Sequence, residues 1–403
     1  MSNTTQIQKQ SFSSKGQYFP VLTGVRAIAA YMVFLAHFNP LGAEGQKGWL
    51  ATGLSHFFGG LSIGVSVFFV LSGFLITMRY ESSINLSWHW ARRYLRNRVA
   101  RIYPMYFLVT IATLVGTTLN ADYDPSRLWK FYNFKDKVLV VFLNLTFLRG
   151  FFERYRFTMA GQGWSLTVEE CFYLSAPLFL LGLRRQWRRL FVYPLLVVGV
   201  GLLLVVVGTS FRHQLFGFMD SVKFMLDWTF FGRCLEFFAG MGLALALRRR
   251  PRQEKSGWRV TALGFFWMVL CLGAVAYLER DISSATAVWH MDNYGSFVVR
   301  NAILPGGIVL FFWGLLFERN WFKRLLETPL FDLLGKSSYS FYLIHVGVLD
   351  FLLNDYVTTS ILGKFLLINI VAILLYKFVE HPLHLLLTRD KTSKSTEVLL
   401  ANG

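Results

Sequence analysis

The chain has 403 residues, of which 54% are hydrophobic and only 16% charged, with a formal net charge of +18 at pH 7. That balance excludes an ordinary soluble domain. It also argues against a nucleic-acid binder, because the basic clusters "ARRYLRNRVAR", "RRQWRR" and "RRRPRQEK" each sit between hydrophobic spans, where positive charge flanks the cytoplasmic ends of membrane helices or meets acidic lipid headgroups or a phosphorylated ligand.

Apolar windows of about 17–20 residues match the thickness of a bilayer core. They predict an all-α polytopic membrane protein with about ten transmembrane helices, near 20–37, 59–78, 102–119, 164–183, 190–208, 228–247, 258–277, 298–317, 337–356 and 361–379. Backbone polar groups in lipid must be satisfied within each element, which favours helices. Ten crossings put both termini on one side. With that side cytoplasmic, the inner segments carry more than twice the Lys and Arg of the outer ones, as the positive-inside bias requires. The division that follows is a cytoplasmic tail over 1–19, a membrane domain over 20–386 and a cytoplasmic tail over 387–403. The first run follows a polar stretch and contains Arg26, so it reads as a retained signal anchor.

Ionisable residues inside such spans are costly and mark functional positions by default. The first span, "LTGVRAIAAYMVFLAHF", holds Arg26 and His37. Eleven residues at about 100° each bring both onto one helix face, about 16 Å apart along the axis. The same spacing equally suits an Arg reaching for headgroups and a His satisfied at the opposite interface. In "FFVLSGFLIT", Ser72 and Gly73 fit close helix packing better than ligand contact. In "RNRVARIYPMY", Arg98 and Arg101 stand at i and i+3 at a helix mouth, suited to phosphate oxygens or to plain anchoring. Pro104 fits a helix start nearby.

The apolar segment 138–148 is too short to cross and is expected to be re-entrant or interfacial. Residues 149–163 after it, with three arginines, are expected to help line a site. In "GWSLTVEECFYLSAP", Ser165 can cap a helix, but Val168 stands where a capping box needs an acid. Glu169 shares a face with Phe172 and Tyr173, while Glu170 turns away. An acid near a helix start is also favoured by the dipole alone. Arg233 and Glu236 read as a buried pair. Tyr342 and His345 share a face, and Glu380-His381-Pro382 reads as a helix ending. Cys171, Cys234 and Cys271 lie in apolar segments with neither disulfide nor zinc spacing.

Taken in order, "LTGVRAIAAYMVFLAHF", "GVSVFFVLSGFLIT", "RVARIYPMYF", "WSLTVEECFYLSAPL" and "YSFYLIHV" resemble the membrane-bound acyltransferase 3 family, over about residues 20–382. Thr23 departs from the family, whose members often carry Asp there. The resemblance implies a membrane O-acyltransferase of the stand-alone form without an SGNH-type domain. It would move an acyl group, commonly acetyl, from cytoplasmic acyl-CoA to a hydroxyl of a carbohydrate or glycolipid, in the plasma (inner) membrane of a bacterium. Carried onto this chain, it implies His37, Glu169 and Arg26 as catalytic residues and Arg98, Arg101 and Arg26 as ligands of the CoA donor. Trp164, Ser165, Tyr342 and His345 are the expected acceptor-binding residues. No metal is expected, and the partners are acyl-CoA, the acceptor and membrane lipids rather than nucleic acid. In this reading His37 is the general base and Glu169 orients it; an acyl-histidine intermediate is the other chemical option. A transporter or flippase without covalent chemistry is the competing class.

Overall fold

The computed structural model describes residues 18–41, 49–85, 87–211, 214–249, 254–278 and 294–389. Its elements are α1 (Pro20–His37), α2 (Trp49–Gly60), α3 (Gly64–Tyr80), α4 (Trp88–Leu119), α5 (Phe134–Leu145), α6 (Trp164–Arg185), α7 (Arg189–Ser210), α8 (Val222–Trp228), α9 (Phe230–Arg248), α10 (Arg259–Leu278), α11 (Tyr294–Phe317), α12 (Trp321–Leu326), α13 (Pro329–Ile344), α14 (Val348–Tyr356) and α15 (Ile361–Thr388). The sole sheet among the described residues is a parallel pairing of Lys255–Ser256 with Glu318–Arg319. Glu318 there accepts from the N–H groups of Val260 and Thr261, satisfying the start of α10.

Polarity is arranged for lipid. Leu195 and Leu203 of α7, Phe265 and Phe266 of α10, and Leu362 and Ile370 of α15 face outward, whereas Asn144, Arg149, Glu236 and His345 are buried. Nine helical segments among the described residues are long and apolar enough to cross a membrane. The protein is an all-α, polytopic integral membrane protein.

Several boundaries differ from the sequence expectation. The ninth expected span, 337–356, is two helices, α13 and α14, broken at residues 345–347, where Gly347 takes φ +118°. The basic stretch before residue 102 is helical rather than a loop. Capped by Ser87, α4 runs 32 residues, about 48 Å, well beyond a core of about 30 Å. Its charged third therefore extends past the apolar thickness. Pro104 lies within this helix instead of at its start. Ser165 is likewise internal, since α6 begins at Trp164 after Gly163. Glu380-His381-Pro382 does not end a helix: residues 376–380 form a π turn and α15 continues to Thr388. The segment near 138–148 is α5, 12 residues long and about 18 Å, too short to cross. The expected terminal tails lie almost wholly outside the described residues.

The first helix, α1, packs between α3 and α13. At its crossing with α13, a Cβ on Gly335 would stand 1.9 Å from the Thr23 carbonyl oxygen. Thr23 thus meets its neighbour through backbone, and its hydroxyl turns to the Phe19 carbonyl. The α3–α9 crossing is as close: a Cβ on Gly73 would meet the Phe237 carbonyl at 2.0 Å, and one on Gly240 the Val70 carbonyl at 2.0 Å. Small residues let the backbones approach where lipid supplies no hydrophobic drive. Gly73→Val is expected to destabilise the protein by at least about 1–3 kcal/mol, read as a lowered thermal midpoint in detergent. An unchanged midpoint would contradict the crossing.

Candidate active site

Two cavities line up along α1 and meet at Val65 and Tyr342, which line both. The smaller, about 110 Å³, is bounded by Arg26, Arg98, Arg101 and Glu169. The larger, about 440 Å³, is bounded by His37, Trp164, Gln162 and Arg156 among others. The helical spacing that put Arg26 and His37 on one face is realised as one residue at each cavity.

In the smaller cavity, α4 supplies both arginines from one face. Arg98 lies 5.7 Å from the Tyr80 ring centre and 5.6 Å from that of Tyr173, with a long contact from Nη2 to the Tyr80 hydroxyl at 3.5 Å. Stacking on aromatic faces holds a guanidinium while leaving in-plane N–H groups for other partners. Arg101 is already engaged: it pairs with Glu380 Oε1 at 2.8 Å, and Glu380 Oε2 accepts from Ser340 Oγ at 2.8 Å. Glu169 Oε1 accepts from Ser72 Oγ at 2.7 Å, and Ser72 lies 3.2 Å from the Tyr173 hydroxyl. Ser72 therefore does more than allow close packing. Arg26 Nε is buried without a hydrogen-bond partner.

At the larger cavity, His37 is the last residue of α1, where the helix dipole favours a cation. Its Nδ1 lies 2.8 Å from the Val33 carbonyl oxygen. A carbonyl only accepts, so this partner assigns the proton to Nδ1 and leaves Nε2 with its lone pair. His345 follows the last residue of α13 and is fully buried. Its Nδ1 is 2.7 Å from the Tyr342 carbonyl, so by the same reasoning its Nε2 is an acceptor, 3.4 Å from His37 Nδ1. His37 Nδ1–H therefore faces two acceptors. The histidine pair stands where the expectation had a histidine–glutamate pair; the hydrogen-bond partner of Glu169 is Ser72, at the other cavity.

The expected acceptor-binding residues divide between the cavities. Trp164 packs edge-on to Trp228 at 4.8 Å on the larger one. Ser165 Oγ, on the smaller, donates to the Gln162 carbonyl at 3.0 Å and lies 2.8 Å from the Tyr342 hydroxyl. His345 sits behind His37. The three arginines of 149–163 also divide. Arg149 is fully buried and clamps its own loop, donating to Asn144 Oδ1 at 2.6 Å and to the carbonyls of Thr158 and Ala160. Arg154 and Arg156 line the larger cavity. Arg233 and Glu236 form the expected buried pair, with Nε–Oε2 at 2.9 Å and Nη2–Oε1 at 2.7 Å. The three cysteines are free, and no group of three or more His, Cys, Asp or Glu among the described residues is placed to hold a metal.

Ser72, Gln162 and Glu380 were not singled out as site residues from the sequence. In the sequence Ser72 reads as a packing residue and Glu380 as part of a helix ending, and Gln162 carries no signal of its own.

Comparison with known proteins gives a consistent picture. A family model described as an acyltransferase domain, acyltransferase 3, matches residues 19–378. The chain is 25% identical over 394 residues to a protein of Staphylococcus aureus (strain COL) named "Putative O-acetyltransferase SACOL0978", covering 91% of this chain and 58% of that one. It is 27% identical over 398 residues to "Putative peptidoglycan O-acetyltransferase YrhL" of Bacillus subtilis (strain 168), covering 91% and 55%. It is 24% identical over 391 residues to "O-acetyltransferase OatA" of S. aureus (strain NCTC 8325 / PS 47), covering 91% and 57%. The chain thus spans under three-fifths of the length of these relatives. No solved structure matches it significantly.

Proposed function

From the premise that the chain belongs to the acyltransferase 3 family, we propose that it is a membrane O-acyltransferase, moving an acetyl group from acetyl-CoA to a hydroxyl of a carbohydrate or glycoconjugate. The observation that carries this reading is the setting of His37: Nδ1 lies 2.8 Å from the Val33 carbonyl oxygen, which assigns the lone pair to Nε2, and the ring lines a 440 Å³ cavity that shares Val65 and Tyr342 with one lined by arginines.

The CoA phosphates enter on the side of α1 that carries Arg26, which the basic-residue bias assigns to the cytoplasm. Arg98 is the main phosphate contact, and Arg26 extends the basic path inward. Arg101 joins them through an edge it does not share with Glu380. The thioester lies where the cavities meet, at Val65 and Tyr342. His37 Nε2 takes the proton of the acceptor hydroxyl as its oxygen attacks the thioester carbonyl. The C–S bond breaks, and the departing thiolate takes the proton back from the imidazolium. His345 Nε2 and the Val33 carbonyl stabilise that cation through Nδ1–H, the orienting work assigned to Glu169 from the sequence. Glu169 instead balances Arg26 in the donor cavity. The names of the relatives favour an acceptor in the bacterial cell envelope, peptidoglycan among them, and the plasma membrane as the site of action.

Purified protein with acetyl-CoA and an acceptor releases free CoA thiol in this reading. A transporter or flippase releases none, and that outcome would replace the proposal. Arg98→Ala is expected to weaken CoA binding by about 10–100-fold, the worth of charge-assisted hydrogen bonds to phosphate of about 1.5–3 kcal/mol. An unchanged dissociation constant by calorimetry removes Arg98 from the donor site.

A further inference from the structure

The wall of the larger cavity contains a guanidinium with one side unused. Arg156 is 6% exposed and lies between two aromatic groups, 4.6 Å from the Phe157 ring centre and 4.8 Å from that of Trp228. Its Nη1 is taken by the carbonyl and carboxylate of Glu153, at 2.9 and 3.3 Å. Its Nε is buried with no hydrogen-bond partner. Nε and Nη2 form the fork that grips a carboxylate or phosphate with two parallel bonds. The same cavity shows that fork filled: Arg233 gives Nε and Nη2 to the two oxygens of Glu236.

A second buried group on this wall is also one-sided. Gln162, 5% exposed, points its amide nitrogen at the carbonyls of Leu343 and Val346, at 3.3 and 2.7 Å. Those acceptors fix the amide orientation, and Oε1 is left buried without a donor. Buried polar atoms are normally paired, so two such atoms on one cavity call for an explanation. The described lining carries four arginines and one acid, Asp227; Arg156 and Arg233 already pair with Glu153 and Glu236 from outside the lining, while Arg154 and Arg300 add to its positive side.

We infer that this cavity takes an acidic sugar, its carboxylate or phosphate held by the Nε–Nη2 fork of Arg156 and a hydroxyl donating to Gln162 Oε1, with Trp228 and Phe157 as apolar walls. The inference rests on the acyltransfer reading only in naming that sugar as the acceptor. A cavity of this size is within the range of small-molecule sites.

The test is calorimetry on the full-length purified protein with three probes: a glucuronate-bearing oligosaccharide, the same oligosaccharide with the carboxylate reduced to a neutral hydroxymethyl group, and a phosphate-bearing counterpart. The acidic probes should bind at least about tenfold more tightly than the neutral one, and comparing the two acidic arms identifies the oxyanion. Arg156→Gln should collapse the preference towards unity. Arg156→Lys, which keeps the charge without the fork, should retain only part of it and serves if the glutamine variant does not fold. Equal binding of neutral and acidic probes by the wild type, or an undiminished preference in both variants, overturns the site. Thiol release measured in parallel separates the two claims: selective binding without transfer sinks the acyltransferase reading and leaves the acidic-sugar site standing.

Discussion

Replacing His37 with alanine is expected to lower acetyl transfer by about 10²–10⁴-fold, the usual contribution of a positioned general base, while the dissociation constant of CoA stays where it was. The separation follows from the layout, because His37 lines the larger cavity and the arginines Arg26, Arg98 and Arg101 line the smaller one. His37→Gln is the more demanding variant, since its amide can still donate to the Val33 carbonyl but offers no basic nitrogen. Both variants should be inactive if the lone pair on Nε2 matters. Wild-type thiol release from either would end the base assignment. Activity lost together with CoA binding would point to a folding role for the His37–His345 pair.

The second large effect is expected at Arg101, and it is asymmetric. The Arg101 side chain is 30% exposed, whereas that of Glu380 is 3% exposed. Removing Glu380 leaves a cation that can still find water. Removing Arg101 leaves a carboxylate sealed among α4, α13 and α15, with Ser340 as its remaining hydrogen-bond donor among the described residues. Arg101→Ala should therefore cost about 3–5 kcal/mol, the range for breaking a buried pair from the side that leaves the charge behind. Glu380→Gln should cost clearly less, and adding it to Arg101→Ala should recover part of the loss, a coupling that a double-mutant cycle reads from thermal or denaturant midpoints. If Arg101→Ala leaves stability alone and weakens only CoA binding, Arg101 is a donor ligand like Arg98. If it does the reverse, the two arginines of the Arg-x-x-Arg stretch have separate jobs.

What the sequence made legible was whatever one helix can encode. The Arg26–His37 spacing, the shared face of Arg98 and Arg101, the grouping of Glu169 with Tyr173 and the Arg233–Glu236 pair all follow from 3.6 residues per turn, and each recurs in the structure. The missing features need two elements at once. His345 meets His37 across α1 and α13, Glu380 reaches Arg101 from α15, and Gln162 binds a helix 181 residues away. No periodicity in one segment carries that information. The helix boundaries escape a sequence reading for a related reason. Hydropathy finds apolar thickness rather than helix ends, so the polar start of α4 looked like a loop. The break after α13 falls inside a stretch whose length and hydropathy read as one span, with Gly347 as the local cue.

That break has a consequence for how the protein tolerates lipid. Where α13 stops, the carbonyls of Leu343 and Val346 lose their helical donors in a part of the chain that belongs to an apolar stretch, and an unsatisfied oxygen there costs several kcal/mol. One amide, from Gln162 in a different segment, serves both oxygens. The loop over 149–163 is thus stitched into the seam of a broken helix, and a single side chain satisfies both oxygens at that seam.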